Sequence, residues 1–513
     1  KLLVDPYAKR LDRVYVRSPM LRLPREDAVD TAPLVPKAVV LGASNKPILP
    51  RRKAPQFFYE VNVRGYTMRH PSVQGPLRGT IAGLTTRRVI DHFKFLGVDV
   101  VQLVPSAAWI DEGHLPALGL TNAWGYNPVT YSALDPRIAP RGPQELRYMT
   151  DTYRKAGIAV ILDVVYNHTG EGDANGPMLS LMGLDAQTYY RFIDVGGKKV
   201  LINDTGTGNT LRCDHPAVQR LVVESLRYYV EELGVSGFRF DLATILGREP
   251  GFNPDALLLQ KIKNDPVLGK AILVAEPWDV GPGGYQLGRF GKEFREHNDT
   301  YRDEIRSFWR GTDAKIGALA GKVAGSAEIF NFAGRKPSHG VNFLAVHDGF
   351  TLRDLVTYAE KHNEANGEQN RDGHNNNSSW NCGVEGPSED ENVNKLRRRD
   401  VRAMLATLFL SRGLPLIQQG DEMGRTQQGN NNAYAQDNEI TWLDWEHADG
   451  ALVDFVAAVH KFRKSHPALT HDHFLSGQAR HGIRDVAWLH AAGREMSEAD
   501  WNDAPASTLR MHL

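Results

Sequence analysis

Four short segments end apolar runs with ionisable side chains. They are DVVYNH at 163–168, GFRFD at 237–241, AEPWD at 275–279 and FLAVHD at 343–348. Each reads as a buried strand that delivers one or two polar groups at its C-terminal end. Glu276 follows Asp241 by 35 residues, and Asp348 follows Glu276 by 72. A βα unit occupies roughly 30 or more residues, so the three carboxyls fall at strand ends separated by one and then two units. In a parallel barrel all strand C-termini open on one face, where a site is assembled from several strands at once. Three carboxylates, two histidines and an arginine gathered there imply carboxylate-dependent hydrolysis.

The chemistry follows from the pairing. Two carboxyls on adjacent strands approach the separation of about 5–5.5 Å that suits double displacement at a sugar carbon. Asp241 is placed to attack, and Glu276 to protonate the leaving oxygen and then activate water. Glu276 must keep its proton near neutral pH, which low polarity and nearby negative charge can arrange. Arg239 lies two residues before Asp241, on the same side of the strand, and its fixed charge keeps Asp241 ionised and oriented. Asp348 is expected to bond sugar hydroxyls and face positive charge on the ring, while His168 and His347 bond the same sugar. Taken singly, an Arg239–Asp241 ion pair with satisfied histidines would be ordinary barrel interior; four such motifs at barrel spacing argue for a site.

The elements that must position these groups predict a (β/α)8 TIM barrel of the α/β class. Strands are predicted at 57–63, 98–104, 159–165, from Gly237, at 271–276, 327–330, 341–347 and 414–418. Helices are predicted over 85–96, 143–155, 216–233, 394–412 and 452–464, where apolar residues such as Val89, Ile90, Phe93 and Leu96 recur at helical spacing. The continuous β-branched run at 159–165 suits a strand buried on both faces. Residues 1–55, punctuated by Pro24, Pro33, Pro36, Pro50 and Arg51-Arg52, read as an irregular extension. The barrel is assigned to 56–468, with an insertion after strand three at 169–214. Residues 469–513, containing Val486-Ala487-Trp488-Leu489, read as the start of a C-terminal β domain that is cut short.

Composition removes several classes. The chain has 513 residues, with Lys+Arg 61 balancing Asp+Glu 61, so the basic footprint of a nucleic-acid binder is missing. No apolar run reaches the roughly 18 residues needed to span a bilayer. The two cysteines, Cys213 and Cys382, have no metal-type spacing and read as free thiols, which fits a reducing, cytoplasmic setting. The glycine-rich stretches 206–208 and 281–284 lack both a nucleotide-binding pattern and a following helix. His362, Glu364, Glu368 and His374 read as a solvated loop rather than a metal site.

The signature segments resemble the four conserved regions of the α-amylase superfamily, glycoside hydrolase family 13. The similarity extends through WGYNP (124–128), GFRFDLATILGR (237–248), AEPWDVGPGGYQLG (275–288), VHDGFTLRDLV (346–356), HNEANGEQNRDGHNNN (362–377) and GNNNAYAQDNEITWLDW (429–445). These long motifs are similar to bacterial glycogen debranching enzymes of the isoamylase type, over nearly the whole chain from Asp5. The resemblance implies Asp241 as nucleophile, Glu276 as general acid/base and Asp348 as transition-state stabiliser. Tyr126, His168, Arg239 and His347 would hold the sugar to be cleaved, with Asp163 as a supporting carboxylate. Family members usually carry an N-terminal β-sandwich module, which would precede Lys1 here. Asn167 matches a position at which some amylases bind calcium; no metal ligands are assigned here, and no organic cofactor is expected.

The resulting expectation is α-1,6 branch hydrolysis on a branched α-glucan, glycogen or limit dextrin, with retention. The competing readings are α-1,4 hydrolysis or glucanotransfer on the same machinery, and a non-catalytic glucan-binding homologue. The last would be marked by loss of Asp241 or Glu276, and both are present. The long loop 361–394 and the insertion are predicted to wall a cleft for the main chain, with Trp278 as a flat platform for a pyranose ring.

Overall fold

The computed structural model describes residues 1–42, 54–311, 315–502 and 508–513. Eight parallel strands close into a barrel. In chain order they are β1 (Phe58–Val61), β2 (Val100–Leu103), β3 (Ala159–Val164), β6 (Gly237–Phe240), β7 (Ile272–Ala275), β8 (Phe294–Asn298), β9 (Gly340–Phe343) and β10 (Leu414–Gln418). The antiparallel hairpin β4 (Phe192–Val195) and β5 (Lys198–Leu201) lies within the insertion. Each barrel strand pairs with the next along the chain, and β10 closes on β1 through Phe58↔Leu416.

Alternation along the strands sorts the side chains. Phe58, Val100, Ile161, Val274, Val341, Phe343, Leu414 and Leu416 form an apolar cluster of their own inside the barrel. Phe57, Tyr59 and Val61, out of phase by one, pack outward with the helices. Because successive side chains point to opposite faces, the residues two further on also turn inward. Those residues are Glu60 beyond Phe58, Gln102 beyond Val100, Asp163 beyond Ile161, Glu276 beyond Val274 and Gln418 beyond Leu416. The pairing Asp163↔Arg239↔Val274 adds Arg239 to the inward set. The barrel is therefore apolar at its base and polar at its C-terminal mouth.

The helices form where the periodicity places them. Helix Arg87–Leu96 buries Val89, Ile90, Phe93 and Leu96 and ends at Gly97 with φ 79°. A Cβ at Gly97 would also lie 2.7 Å from His460 Nδ1, so only glycine fits this stop. Helices Gln144–Lys155, Pro216–Glu231, Glu391–Leu410 and Gly450–Ser465 match the expected ones to within a few residues. Asp390 and Asp449 cap the last two by accepting from Asn392 N and Leu452 N.

One strand assignment is corrected. Ala327–Phe330 is a single helical turn, and the sixth barrel strand is β8, thirty residues earlier. The sequence FREHN looks solvent-facing, yet Glu296 is fully buried, accepting from Phe290 N at 3.3 Å and from Gly288 N, and meeting Arg335 at 2.6 Å. Internal pairing, rather than apolar content, makes that segment a strand. β9 also ends earlier than expected, at Phe343, leaving His347 on the loop beyond it.

The described part of the N-terminal extension contains two short 3-10 turns. It packs Val4, Ala8, Leu11, Tyr15, Leu21 and Val35 against Ala108, Ile110, Val129, Ala133 and Leu179. Pro50 and Arg51-Arg52 lie outside the described residues. Near the other end, Ala487–Leu489 pairs antiparallel with Arg510–His512.

Candidate active site

Arg239 organises the mouth of the barrel. Its buried guanidinium donates from Nη1 to both oxygens of Asp163 at 3.0 and 2.9 Å and to Asp241 Oδ1 at 2.8 Å. Its Nη2 stands 2.8 Å from Glu276 Oε1. Asp241 and Glu276 are the first residues past β6 and β7, so one planar cation spans carboxyls from three consecutive strands. The other oxygen of each active carboxyl is also fixed. Asn167 Nδ2 donates to Asp241 Oδ2 at 2.8 Å, and the Leu242 amide donates to Glu276 Oε2 at 2.7 Å. Leu242 holds φ +39°, a strained conformation for a non-glycine residue, in the turn that presents this amide.

One positive charge does not balance three buried carboxyls. Burial raises Glu276 to about 8; Arg239 opposes the rise, and Asp241 and Asp348 add to it. Burial likewise lifts Asp163 to about 7 against Arg239, with help from Asp241. Asp348 behaves oppositely. Burial pushes it up, but His347, Arg302, His374 and Arg239 together hold it below the usual aspartate range. The site thus keeps a protonated acid, Glu276, near an ionised carboxylate, Asp348, because their surroundings push the two carboxyls in opposite directions.

The aromatic and imidazole groups complete the floor and one wall. Tyr126 donates its hydroxyl to Asp163 Oδ2 at 2.6 Å, and its ring stacks on His347 with centroids 4.7 Å apart. His347 Nδ1 lies 3.1 Å from Glu60 Oε1 and 3.2 Å from the Tyr126 oxygen. Trp124 meets the His347 ring edge-on at 5.1 Å. His168 sits deeper than expected: Nε2 contacts the Tyr126 carbonyl at 2.7 Å and Nδ1 contacts Asn167 Oδ1, so it orders Tyr126 and Asn167. Trp278 stands half-buried two residues beyond Glu276. The structure therefore gathers Asp163, Arg239, Asp241, Glu276, Tyr126 and His347 into one connected network, with His168 behind it and Asp348 within its electrostatic reach.

Three contributors were not picked out as site residues from the sequence. Glu60 was hidden inside the run FFYEVNV, although its inward phase relative to Phe58 was readable. For Asn167 the sequence offers only the match to a calcium position, and for Trp124 only membership of the motif WGYNP.

The loop 361–394 and the insertion both reach this face. Asn431 Nδ2 donates to His374 O and Asn377 Oδ1, each at 2.8 Å, and Arg306 Nη1 donates to Asn377 O at 3.1 Å. On the other side the Val280 amide donates to Asp204 O at 3.1 Å, and Arg248 grips Asp279 at 2.8 and 2.5 Å. His362 pairs with Glu385 at 3.0 Å and Glu368 accepts from Tyr434 at 2.6 Å, so these loop residues have separate partners.

At the Asn167 position, the side-chain nitrogen faces Asp241 and the side-chain oxygen faces His168 Nδ1, so both ends of the amide have protein partners. Among the described residues, Glu60, Asp163 and His347 bring ligand-type atoms within 4.8 Å of one another. There Arg239 already supplies the positive charge to both Asp163 oxygens. Both cysteines are free thiols, Cys213 buried. No described helix is long and apolar enough to cross a membrane.

A closed (β/α)8 barrel with a bridged Asp–Glu pair on adjoining strand ends defines the class: this is a glycoside hydrolase. The family described as Alpha amylase, catalytic domain, matches residues 200–450. A glycogen debranching enzyme of Erwinia tasmaniensis is 45% identical over 98% of this chain and 76% of its own length. A glycogen operon protein GlgX homolog of Mycobacterium bovis is 43% identical over 98% and 73%. The crystal structure of a pullulanase from Anoxybacillus sp. LM18-11 complexed with maltotetraose superposes with TM-score 0.69 at 26% identity. That match covers 92% of this chain and 65% of the pullulanase. The chain belongs to the bacterial glycogen debranching enzyme family.

Proposed function

We propose that this enzyme hydrolyses α-1,6-glucosidic branch linkages of glycogen or limit dextrin with retention of configuration. The observation that carries the reading is the clamp of Asp241 and Glu276 on one buried guanidinium. Asp241, oriented by Arg239 and Asn167, attacks the anomeric carbon as Glu276 gives its proton to the departing oxygen. A covalent glycosyl-enzyme forms, and Glu276, now ionised, removes a proton from the water that releases it. Asp348, held ionised, faces the positive charge that builds on the ring. Tyr126, Arg239 and His347 hold the sugar from below, Asp163 fixes Tyr126 and Arg239, and His168 fixes Tyr126 and Asn167 from behind. No metal or organic cofactor takes part in these steps.

The relatives named as debranching enzymes and the maltotetraose-bound pullulanase support an α-glucan cut at branches. An α-1,6 bond inserts an extra rotatable carbon, so the main chain leaves in a different direction from an α-1,4 product. Loop 361–394 and the insertion 169–214 wall that path, and Trp278 offers its ring to a pyranose face. The free thiols accord with a cytoplasmic setting.

The test is product analysis on native glycogen, phosphorylase-trimmed glycogen and linear amylose. Release of linear chains from branched substrates, with amylose untouched, is the expected outcome; shortening of amylose would replace the reading with α-1,4 cleavage or glucanotransfer. Asp241→Asn and Glu276→Gln should each lower turnover by several orders of magnitude, with the double variant little worse than either.

A further inference from the structure

Glu60 has no part in the bond-breaking steps, yet it is 1% exposed and turned into the active-site mouth from β1. Its Oε1 accepts from Gln102 Nε2 at 3.3 Å and meets His347 Nδ1 at 3.1 Å; its Oε2 is buried with no hydrogen-bond partner. Lys and Arg do not reach it among the described ion pairs, whose only cation on Glu60 is His347. The Tyr126 hydroxyl gives its proton to Asp163, so toward His347 it is an acceptor. Two acceptors, one on β1 and one on the loop after β2, thus converge on Nδ1, and a ring nitrogen facing two acceptors carries the hydrogen. The remaining nitrogen, Nε2, has no hydrogen-bond partner among the described residues and is left for the sugar.

We propose that Glu60 is a positioning residue that fixes the orientation and proton of His347, making it a charged two-sided donor whose Nε2–H binds a hydroxyl of the sugar being cleaved. The proposal rests on the reading of this mouth as the cleaved-sugar pocket. Its logic is that of a metal-bound histidine whose far nitrogen is anchored by a carboxylate, with a sugar hydroxyl in the place of the metal. The surroundings of His347 favour the charged ring on balance. Burial opposes it, Glu60 and Asp348 favour it, Arg239 opposes it, and the sum holds the ring up to about 9. His297, on β8 and within electrostatic reach of His347, is held neutral by burial and by the nearby charge of Arg239 and His347. Asp163 adds negative charge from β3 through Tyr126, and Trp124 contributes only a ring edge. A charged His347 also helps keep the neighbouring Asp348 ionised, so the effect of Glu60 reaches the transition-state carboxylate.

The test is histidine-selective nitrogen-15 NMR on the free enzyme, with His347 assigned through His347→Gln. In the unaltered protein the His347 signal should stay that of the charged ring through neutral pH and titrate near 9. In Glu60→Gln, which keeps size and one acceptor, titration should fall below the ordinary histidine value of about 6.5, and Glu60→Asp should restore part of the shift. Turnover of Glu60→Gln should drop roughly 10–100-fold, the loss typical when an anchoring partner is removed, and in a His347→Gln background Glu60→Gln should cost little more. A His347 that titrates at or below the ordinary value in the unaltered protein overturns the proposal without any variant. So does a folded Glu60→Gln whose titration and pH–rate profile are unchanged. The NMR reading needs no substrate, so a failure to cleave branches would count against the proposed function and not against the role of Glu60.

Discussion

Removing Arg239 gives the sharpest test of how the site is held together. Arg239→Met keeps similar bulk and deletes the charge. The side chain makes four contacts of 2.8–3.0 Å to three carboxyls, all well shielded from water. Breaking a buried ion pair by removing one partner costs about 3–5 kcal/mol, and that figure should apply in full only where the carboxyls are ionised. Asp163 and Glu276 titrate at about 7 and about 8 with Arg239 pulling both down. Without it both values rise further. Below pH 7 the two groups therefore hold their protons in both proteins, and the charge-dependent part of the loss is small. As pH climbs through 7 and then 8, the wild type ionises them beside Arg239 while the variant must either keep the protons or bury bare charges. The stability gap should widen over that window.

The assay is thermal unfolding of both proteins at pH 5.5 and pH 8.5 at one scan rate, with activity followed in parallel. A larger loss at the higher pH is expected, with turnover abolished at both. Equal losses, or a larger loss at pH 5.5, would show that Arg239 is held by packing and neutral hydrogen bonds and that the charge accounting is wrong. Arg239→Lys should fall between, because a single ammonium cannot span carboxyls on three strands as a planar fork does.

Other outcomes follow from the same geometry. The rate on branched substrate should fall as pH rises through about 8, where Glu276 loses the proton it must donate; a plateau to pH 9.5 in folded enzyme would remove Glu276 as the acid. Asn431→Ala deletes both side-chain bonds to 374–377 and the one accepted from Asn363, so amides of 361–380 should exchange faster and branched substrates should weaken more than small α-glucosides. Burial pushes the Cys213 thiol up to about 12, so iodoacetamide should label it only after unfolding, as mass spectrometry of the native and denatured chain would show.

The barrel could be read wherever a strand bought its place with apolar side chains. Ile161 and Val274 lie in β-branched runs, and their alternation carries Asp163 and Glu276 inward without further information. β8 could not be read that way, because Glu296 and Asn298 are buried through specific partners that only tertiary structure supplies: Arg335 and the first turn of the next helix. His168 shows the same limit inside the site. A histidine at a strand end could face substrate or backbone, and which it faces depends on the Tyr126 carbonyl, contributed by a loop some forty residues away.

The site also explains why such a pocket needs a large and rigid barrel beneath it. Glycoside cleavage passes through a state with positive charge on the sugar ring, and a cavity suited to that state must carry excess negative charge when the sugar is absent. Here that excess is Asp163, Asp241, Glu276 and Asp348 against the charges of Arg239 and His347. The raised Asp163 and Glu276 record the resulting strain as protons held above their ordinary range. The inward apolar cluster from Phe58 to Leu416 lies directly below and fixes the strand ends that carry these groups. Relieving the repulsion by neutralising one carboxyl would stabilise the free protein at alkaline pH and weaken its complementarity to the charged state, so stability and catalysis oppose one another at this mouth.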